Sequence, residues 1–269
     1  MQDLNQWIEI EEFHYRKDEV ITQHSSLWGD FNFSLNGLLE FSIAKQKFLS
    51  PPNYGIWIPP HTAHCSTAID VHTTHYICIR IHPTLCQQLS SSCKTLSIQP
   101  FFRHTVAELL RLKSIDLKPF TSHSALTLST QDHTASIQHD YQQHLLRVLF
   151  DQILQAPAYD QYLPQTHHPS LEPILKQLSE PTRFKQSLQQ ILADFEVSER
   201  HILRLSQQQL QLPISEWRNR AKIIHAISEL RQGTTIKRIG YDLGYQHSSS
   251  FIEFFKRYTG QTPAQMRDA

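Results

Sequence analysis

The side chains best placed to do chemistry lie between Ile236 and Pro263. Ile236-Lys237-Arg238-Ile239-Gly240-Tyr241-Asp242-Leu243-Gly244-Tyr245 precedes Ser248-Ser249-Ser250-Phe251-Ile252-Glu253-Phe254-Phe255-Lys256-Arg257-Tyr258, and Gly260-Gln261-Thr262-Pro263 follows. A short helix, a glycine-centred turn, a second helix, a glycine stop and a capped third helix form the layout of a helix-turn-helix, whose second helix enters a DNA major groove. Lys256, Arg257, Arg218 and Lys222 are cations suited to phosphate, which supplies affinity without sequence information. A weaker copy of the unit lies about 45 residues upstream. The other reactive groups are the 17 histidines. Glutamine is abundant too, with 27 residues, and shares two codon bases with histidine, so the number alone signals no ligand set. No nucleophile is paired with a base and no glycine-rich phosphate loop is present, so an enzyme is not expected.

Helices must position these groups. Apolar spacing and caps predict helices over 170–179, 187–195, 199–209, 213–232, 235–243 and 247–258, with a last one starting at Thr262. Ser198 is the cap of the third, Pro213 opens the fourth and Gly233 stops it. A fourth helix of about 19 residues spans roughly 28 Å, near the 34 Å repeat of B-DNA, so one chain could occupy two successive major grooves.

Residues 170–267 resemble the DNA-binding domain of the AraC/XylS family of transcription regulators. Ile239, Leu243-Gly244-Tyr245, Phe251, Phe255-Lys256-Arg257, Gly260, Thr262-Pro263 and Arg267 carry the resemblance. It implies base-reading roles for Arg200, Leu203 and Arg204 in the third helix and for His247, Ser248, Ser249 and Glu253 in the sixth. Arg204 suits guanine, Glu253 suits cytosine N4 and Leu203 suits a thymine methyl. It also implies double-stranded DNA, a small-molecule effector and RNA polymerase as partners, with an outcome of activation or repression and no prosthetic group. The first unit departs from the pattern: Glu196 replaces the turn glycine, Leu192 a small residue, Ser206 a phenylalanine and Gln211 a glycine. In the second unit Gly240 stands where alanine is usual.

The first half reads as short antiparallel strands. Asn36-Gly37 between two alternating runs, 30–35 and 38–43, predicts a hairpin with Phe31, Phe33, Leu35, Leu39, Phe41 and Ile43 on one face. Further strands are expected at 54–58 and 74–81, the latter with Ile77, Ile79 and Ile81 facing a core. The stretch from Pro51 to His64 resembles the second conserved segment of the cupin barrel, and His24-Ser25-Ser26 what remains of the first. That resemblance implies a barrel with His24 and His64 pointing inward. His24, Phe33, Trp57, His64 and Tyr76 are the expected lining of a small-molecule pocket. His14, His61, His72, His75 and His82 are reserve ligands for the alternatives, a metal-responsive regulator or a metal-dependent cupin enzyme, though neither a metal nor a cofactor is assigned. Beyond Pro100 the period turns helical, and a helix over 140–154 carries two apolar stripes, one of them available to a homodimer.

The expected organisation is a cupin-like ligand-sensing and dimerisation domain over 1–156, a proline-rich linker over 157–169 and an all-helical DNA-binding domain over 170–269. Formal charge is zero overall, but residues 1–166 carry a net −4 and residues 167–269 a net +4. Cys65, Cys78, Cys86 and Cys93 lack metal or redox spacing, no apolar run is long enough to span a membrane, and the first residues do not resemble a signal peptide. A soluble cytoplasmic protein is expected.

Overall fold

Alternating and continuous apolar runs fold into strands β1 (Ile8–Tyr15), β2 (Val20–His24), β3 (Gly29–Ser34), β4 (Leu39–Ile43), β5 (Gln46–Ser50), β6 (Tyr54–Ile58), β7 (His64–Ala68), β8 (Thr74–Ile81), β9 (Lys94–Ser97) and β10 (Ala158–Tyr159). The structure, a computed structural model, describes residues 3–16, 19–68, 73–116 and 128–267, with the backbone alone at 115, 116 and 128–136. One sheet has the order β1-β8-β3-β6-β9-β10 and the other β2-β7-β4-β5. Neighbouring strands pair antiparallel throughout. The two sheets face each other across a shared core, in a small barrel-like sandwich.

Strand β3 is buried along its whole length and β8 along most of its length, because one face of each meets the core under α2 and α3 and the other faces the space between the sheets. Leu39, Phe41, Ile43, Phe48, Ile56, Tyr76 and Cys78 pack between the sheets. On the outer face of the larger sheet, Phe31, Phe33, Ile77, Ile79 and Ile81 pack against Phe102, Val106 and Leu109 of α2 (Pro100–Asp116) and Leu146, Leu149, Phe150 and Ile153 of α3 (Leu128–Gln155). The short α1 (Pro83–Cys86) follows β8. Phe102 meets the rings of Phe31 and Phe33 edge-on at 5.7 and 5.4 Å, a favoured aromatic geometry. Strands β6 and β8 coincide with the expected runs; α3 begins well before the expected 140.

The Asn36-Gly37 hairpin does not form. β3 pairs with β6 and β8, whereas β4 pairs with β5 and β7. Neither turn residue has a positive φ, as the tight hairpin turn would require. Instead Asn36 Oδ1 accepts from the His75 backbone N–H (2.8 Å) and the Gly37 N–H donates to Ser34 Oγ (2.9 Å). The turn therefore crosses between sheets, and Phe31 and Phe33 lie in a different core from Leu39, Phe41 and Ile43.

The second half is helical: α4 (Glu172–Ser179), α5 (Leu188–Leu192), α6 (Glu199–Leu210), α7 (Ile214–Arg231), α8 (Ile236–Asp242), α9 (Ser248–Thr259) and α10 (Pro263–Arg267). Trp217, Ile223, Ile227, Ile239, Leu243, Phe251 and Phe255 fill one core. Leu38, from the crossing between the sheets, is buried in that same core. Further ties join the two halves: Arg231, which also donates to Met266 O within the helical half (3.4 Å), donates to Thr73 O (3.2 Å), and Gln261 to Leu35 O (3.3 Å). The segment 157–169 is also held: Arg220 donates to Tyr162 O (3.0 Å) and Trp217 Nε1 to Pro164 O (2.8 Å).

Candidate nucleic-acid interface and barrel cavity

Capping sets the first helix-turn-helix. Ser187 Oγ accepts from the Gln190 N–H (3.1 Å) while Gln190 Oε1 accepts from the Ser187 N–H (2.7 Å), closing a reciprocal box at the start of α5. Ser198 Oγ accepts from the His201 N–H (3.3 Å) and starts α6. Ile202, Leu205, Ser206 and Leu210 face inward, which leaves Arg200, Leu203 and Arg204 exposed along the outer face. Leu203 is 44% exposed, a large apolar side chain left in solvent. Ser206, in the place of a phenylalanine, is buried and donates to Leu203 O (3.0 Å).

In the second unit Thr235 Oγ1 accepts from the Arg238 N–H (3.3 Å) at the start of α8. Gly244 turns the chain at φ +93°, and a β-carbon there would sit 3.2 Å from Lys185 Cα. Gly240 lies against Phe251: an added β-carbon would be 3.1 Å from Phe251 Cβ, which accounts for glycine where alanine is usual. Phe251, Phe254, Phe255 and Thr259 bury the inner face of α9. His247, Ser248, Ser249, Glu253, Lys256 and Arg257 are exposed. Glu253, Lys256 and Arg257 also line a cleft of about 830 Å³ against Asn53, Tyr54 and Pro100 of the barrel half. The two units touch each other through Lys185, which pairs with Asp242 (3.3 Å) and lies 3.5 Å over the Tyr241 ring.

Two of the expected phosphate contacts are turned inward. Arg218 donates to the carbonyls of Arg183 (3.2 Å), Phe184 (3.3 Å) and Gln186, fastening the segment before α5. Lys222 donates to Leu243 O (2.8 Å), at the end of α8. Burial, reinforced by nearby Arg218, brings the Lys222 ammonium down to about 8. Both are long side chains on α7, whose buried faces draw them under the flanking helices. The sequence placed them on the helix surface because their charge outweighs, in a pattern reading, the length that lets them reach inward.

The barrel encloses a cavity of about 560 Å³ that includes His24, His64 and Tyr76 in its lining. Phe33 and Trp57 do not line it. Their alternation places them on the outer face of the larger sheet, in the core shared with α2 and α3, and Trp57 Nε1 donates to Ser90 O (2.7 Å). Polar lining not expected from the sequence includes Glu9, Asp30, Asn32, Ser66 and Arg80. Asp30 and Asn32 alternate with Phe31 and Phe33, so the signal was present; what was hidden was which face is the cavity. Burial pushes Asp30 up to about 6, against the opposing pull of Arg80 and His24. Burial also pushes the Tyr76 phenol and the Cys78 thiol upward, so both stay protonated at neutral pH.

His24 and His64 oppose each other across β2 and β7, with ring centroids 4.4 Å apart. Each Nδ1 lies 3.0 Å from the carbonyl oxygen two residues earlier, Thr22 and Thr62, which favours the Nδ1–H tautomer and leaves Nε2 as the acceptor. Among the described residues, no third histidine, cysteine, aspartate or glutamate completes a metal-binding group with this pair. Of the reserve histidines, His82 stacks on Trp7 and His61 is exposed, while His14 and His75 meet elsewhere. His72 lies outside the described residues.

Residues 191–269 match the family model described as a helix-turn-helix domain. The chain carries a helix-turn-helix domain over these residues. Over 253 residues, 94% of this chain and 84% of the other, it is 25% identical to the HTH-type transcriptional regulator NimR of Escherichia coli strain K12. Among solved structures it is similar to ToxT from Vibrio cholerae O395, with 13% identity, 98% of each chain covered and a TM-score of 0.37. A cupin superfamily protein from Desulfitobacterium hafniense matches 28% of this chain and 68% of its own, with 16% identity and a TM-score of 0.26. The matched segment runs from the end of α5 through α10, and both groups of exposed residues on α6 and α9 fall within it.

Proposed function

We propose that this DNA-binding regulator recognises its operator with both helix-turn-helix units and is controlled by a small molecule held in the barrel cavity. One observation carries the reading: α6 and α9 both bury an apolar face and leave outward the groups that a groove can take up, with α7 between them. At 18 residues α7 is about 27 Å long, close to one turn of B-DNA. Arg204 is assigned to guanine, Glu253 to cytosine N4 and Leu203 to a thymine methyl, with Arg200, His247, Ser248 and Ser249 beside them. Lys256 and Arg257 are assigned to phosphate. The cavity offers two carboxyls, a guanidinium, two imidazoles and aromatic walls, a set suited to a small polar effector with an apolar part.

A homodimer formed through residues 140–154 of α3, where Tyr141 stands exposed, belongs to the same reading. A cytoplasmic location and an encounter with RNA polymerase follow from the same reading. The test is a mobility shift with the DNA flanking the chain's own gene, followed by genome-wide footprinting. A discrete, competitor-resistant complex is expected; binding that ordinary genomic DNA abolishes equally well would overturn the reading.

A further inference from the structure

We propose that Glu12, His14 and His75 form a binding site for a divalent transition-metal ion on the outer face of the larger sheet, separate from the barrel cavity. The strand register brings them together. β1 and β8 run antiparallel with His14 directly opposite His75, and Glu12, two residues before His14, emerges on the same face. The ligand atoms of the three side chains all lie within 4.8 Å of one another. Glu12 Oε1 already contacts His75 Nε2, and the two imidazoles are stacked with centroids 4.2 Å apart. Phe13 and Tyr15, which alternate with these residues on β1, line the cavity, so the cluster faces away from it.

The chemistry of the set is selective. Two imidazole nitrogens and one carboxylate are the donors that zinc takes in open sites, with water in the remaining position. Magnesium and calcium prefer oxygen donors alone. Two ligands at about 2.0–2.1 Å from a tetrahedral ion lie roughly 3.4 Å apart, so the cluster needs only side-chain rotation to close. His75 is held for the task by its backbone: its N–H donates to Asn36 Oδ1 (2.8 Å) and its carbonyl accepts from the Leu35 N–H (2.9 Å). Glu12 and His14 are exposed, which gives an ion a path in and leaves room for water ligands. An exposed carboxylate–imidazole contact contributes little to stability by itself, so folding alone does not account for the trio.

The test is calorimetric titration of Zn²⁺ into the full, chelator-stripped chain. The variants are His14→Ala, His75→Ala and Glu12→Gln, with the His24→Ala/His64→Ala double variant as control, and circular dichroism checks that each folds. One Zn²⁺ per chain is expected in the wild type and in the cavity control. Removing either histidine of the cluster should weaken binding at least about tenfold, the lower end of what even an outer-shell partner contributes. The proposal is overturned by absence of saturable one-to-one binding, by unchanged affinity in His14→Ala and His75→Ala, or by loss of the ion in the cavity control.

Discussion

Arg204 and Lys256 are both exposed, yet they should answer different experiments. Arg204→Ala is expected to weaken the specific complex by about 1–3 kcal/mol and to relax preference at one base position. Lys256→Ala should weaken all sequences alike and reduce the slope of log affinity against log salt by about one. Fluorescence anisotropy over a series of salt concentrations separates the two. Asp30 gives a prediction about pH. Its carboxyl titrates near 6 in the fold against the usual 3.8, because burial outweighs Arg80 and His24. Between those values the folded chain holds more protons than the unfolded one, so stability falls as pH rises. The contribution is complete below the lower value and gone above the upper. Asp30→Asn should flatten that slope and stabilise the chain at pH 7.5 by up to about 3 kcal/mol, read from urea midpoints at pH 4.5 and 7.5.

At the level of elements, α6 ends on Gln211 at φ +53°, the left-handed region where a side chain is crowded by the backbone. Gln211→Gly is expected to raise stability by about 1 kcal/mol with no change in DNA affinity, measured by urea denaturation and anisotropy. The helices were legible in the sequence because their signals are local. Ser198 caps where expected, Ser187 and Thr235 cap at the expected helix starts, and Phe251, Phe254 and Phe255 mark the buried face of α9 by their spacing. Four of the strands, β3, β4, β6 and β8, were legible too, but their partners were not. Asn36-Gly37 fits a tight turn by type, whereas the outcome depended on β8 supplying the His75 N–H to Asn36. The candidate site divides in the same way. The residues named on α6 and α9 came from the resemblance, and their outward direction agrees with the helical period, while the inward reach of Arg218 and Lys222, the outward direction of Phe33 and Trp57, and the meeting of Glu12 with His75 are products of tertiary neighbours.

Across the whole molecule, the barrel half and the helical half share buried surface. Leu38→Ala, which removes a side chain only 2% exposed from the helical core, should cost about 2–5 kcal/mol. It should also split thermal unfolding into two steps, visible by scanning calorimetry, because the same side chain ties the sheets to the helices. The connection has a temporal side. Leu38 leaves the ribosome long before Leu171, Ile174, Phe251 and the other residues that will cover it. A nascent chain halted after the barrel carries a bare apolar knob with no socket, which makes that half-made intermediate the species most open to capture by chaperones or to self-association.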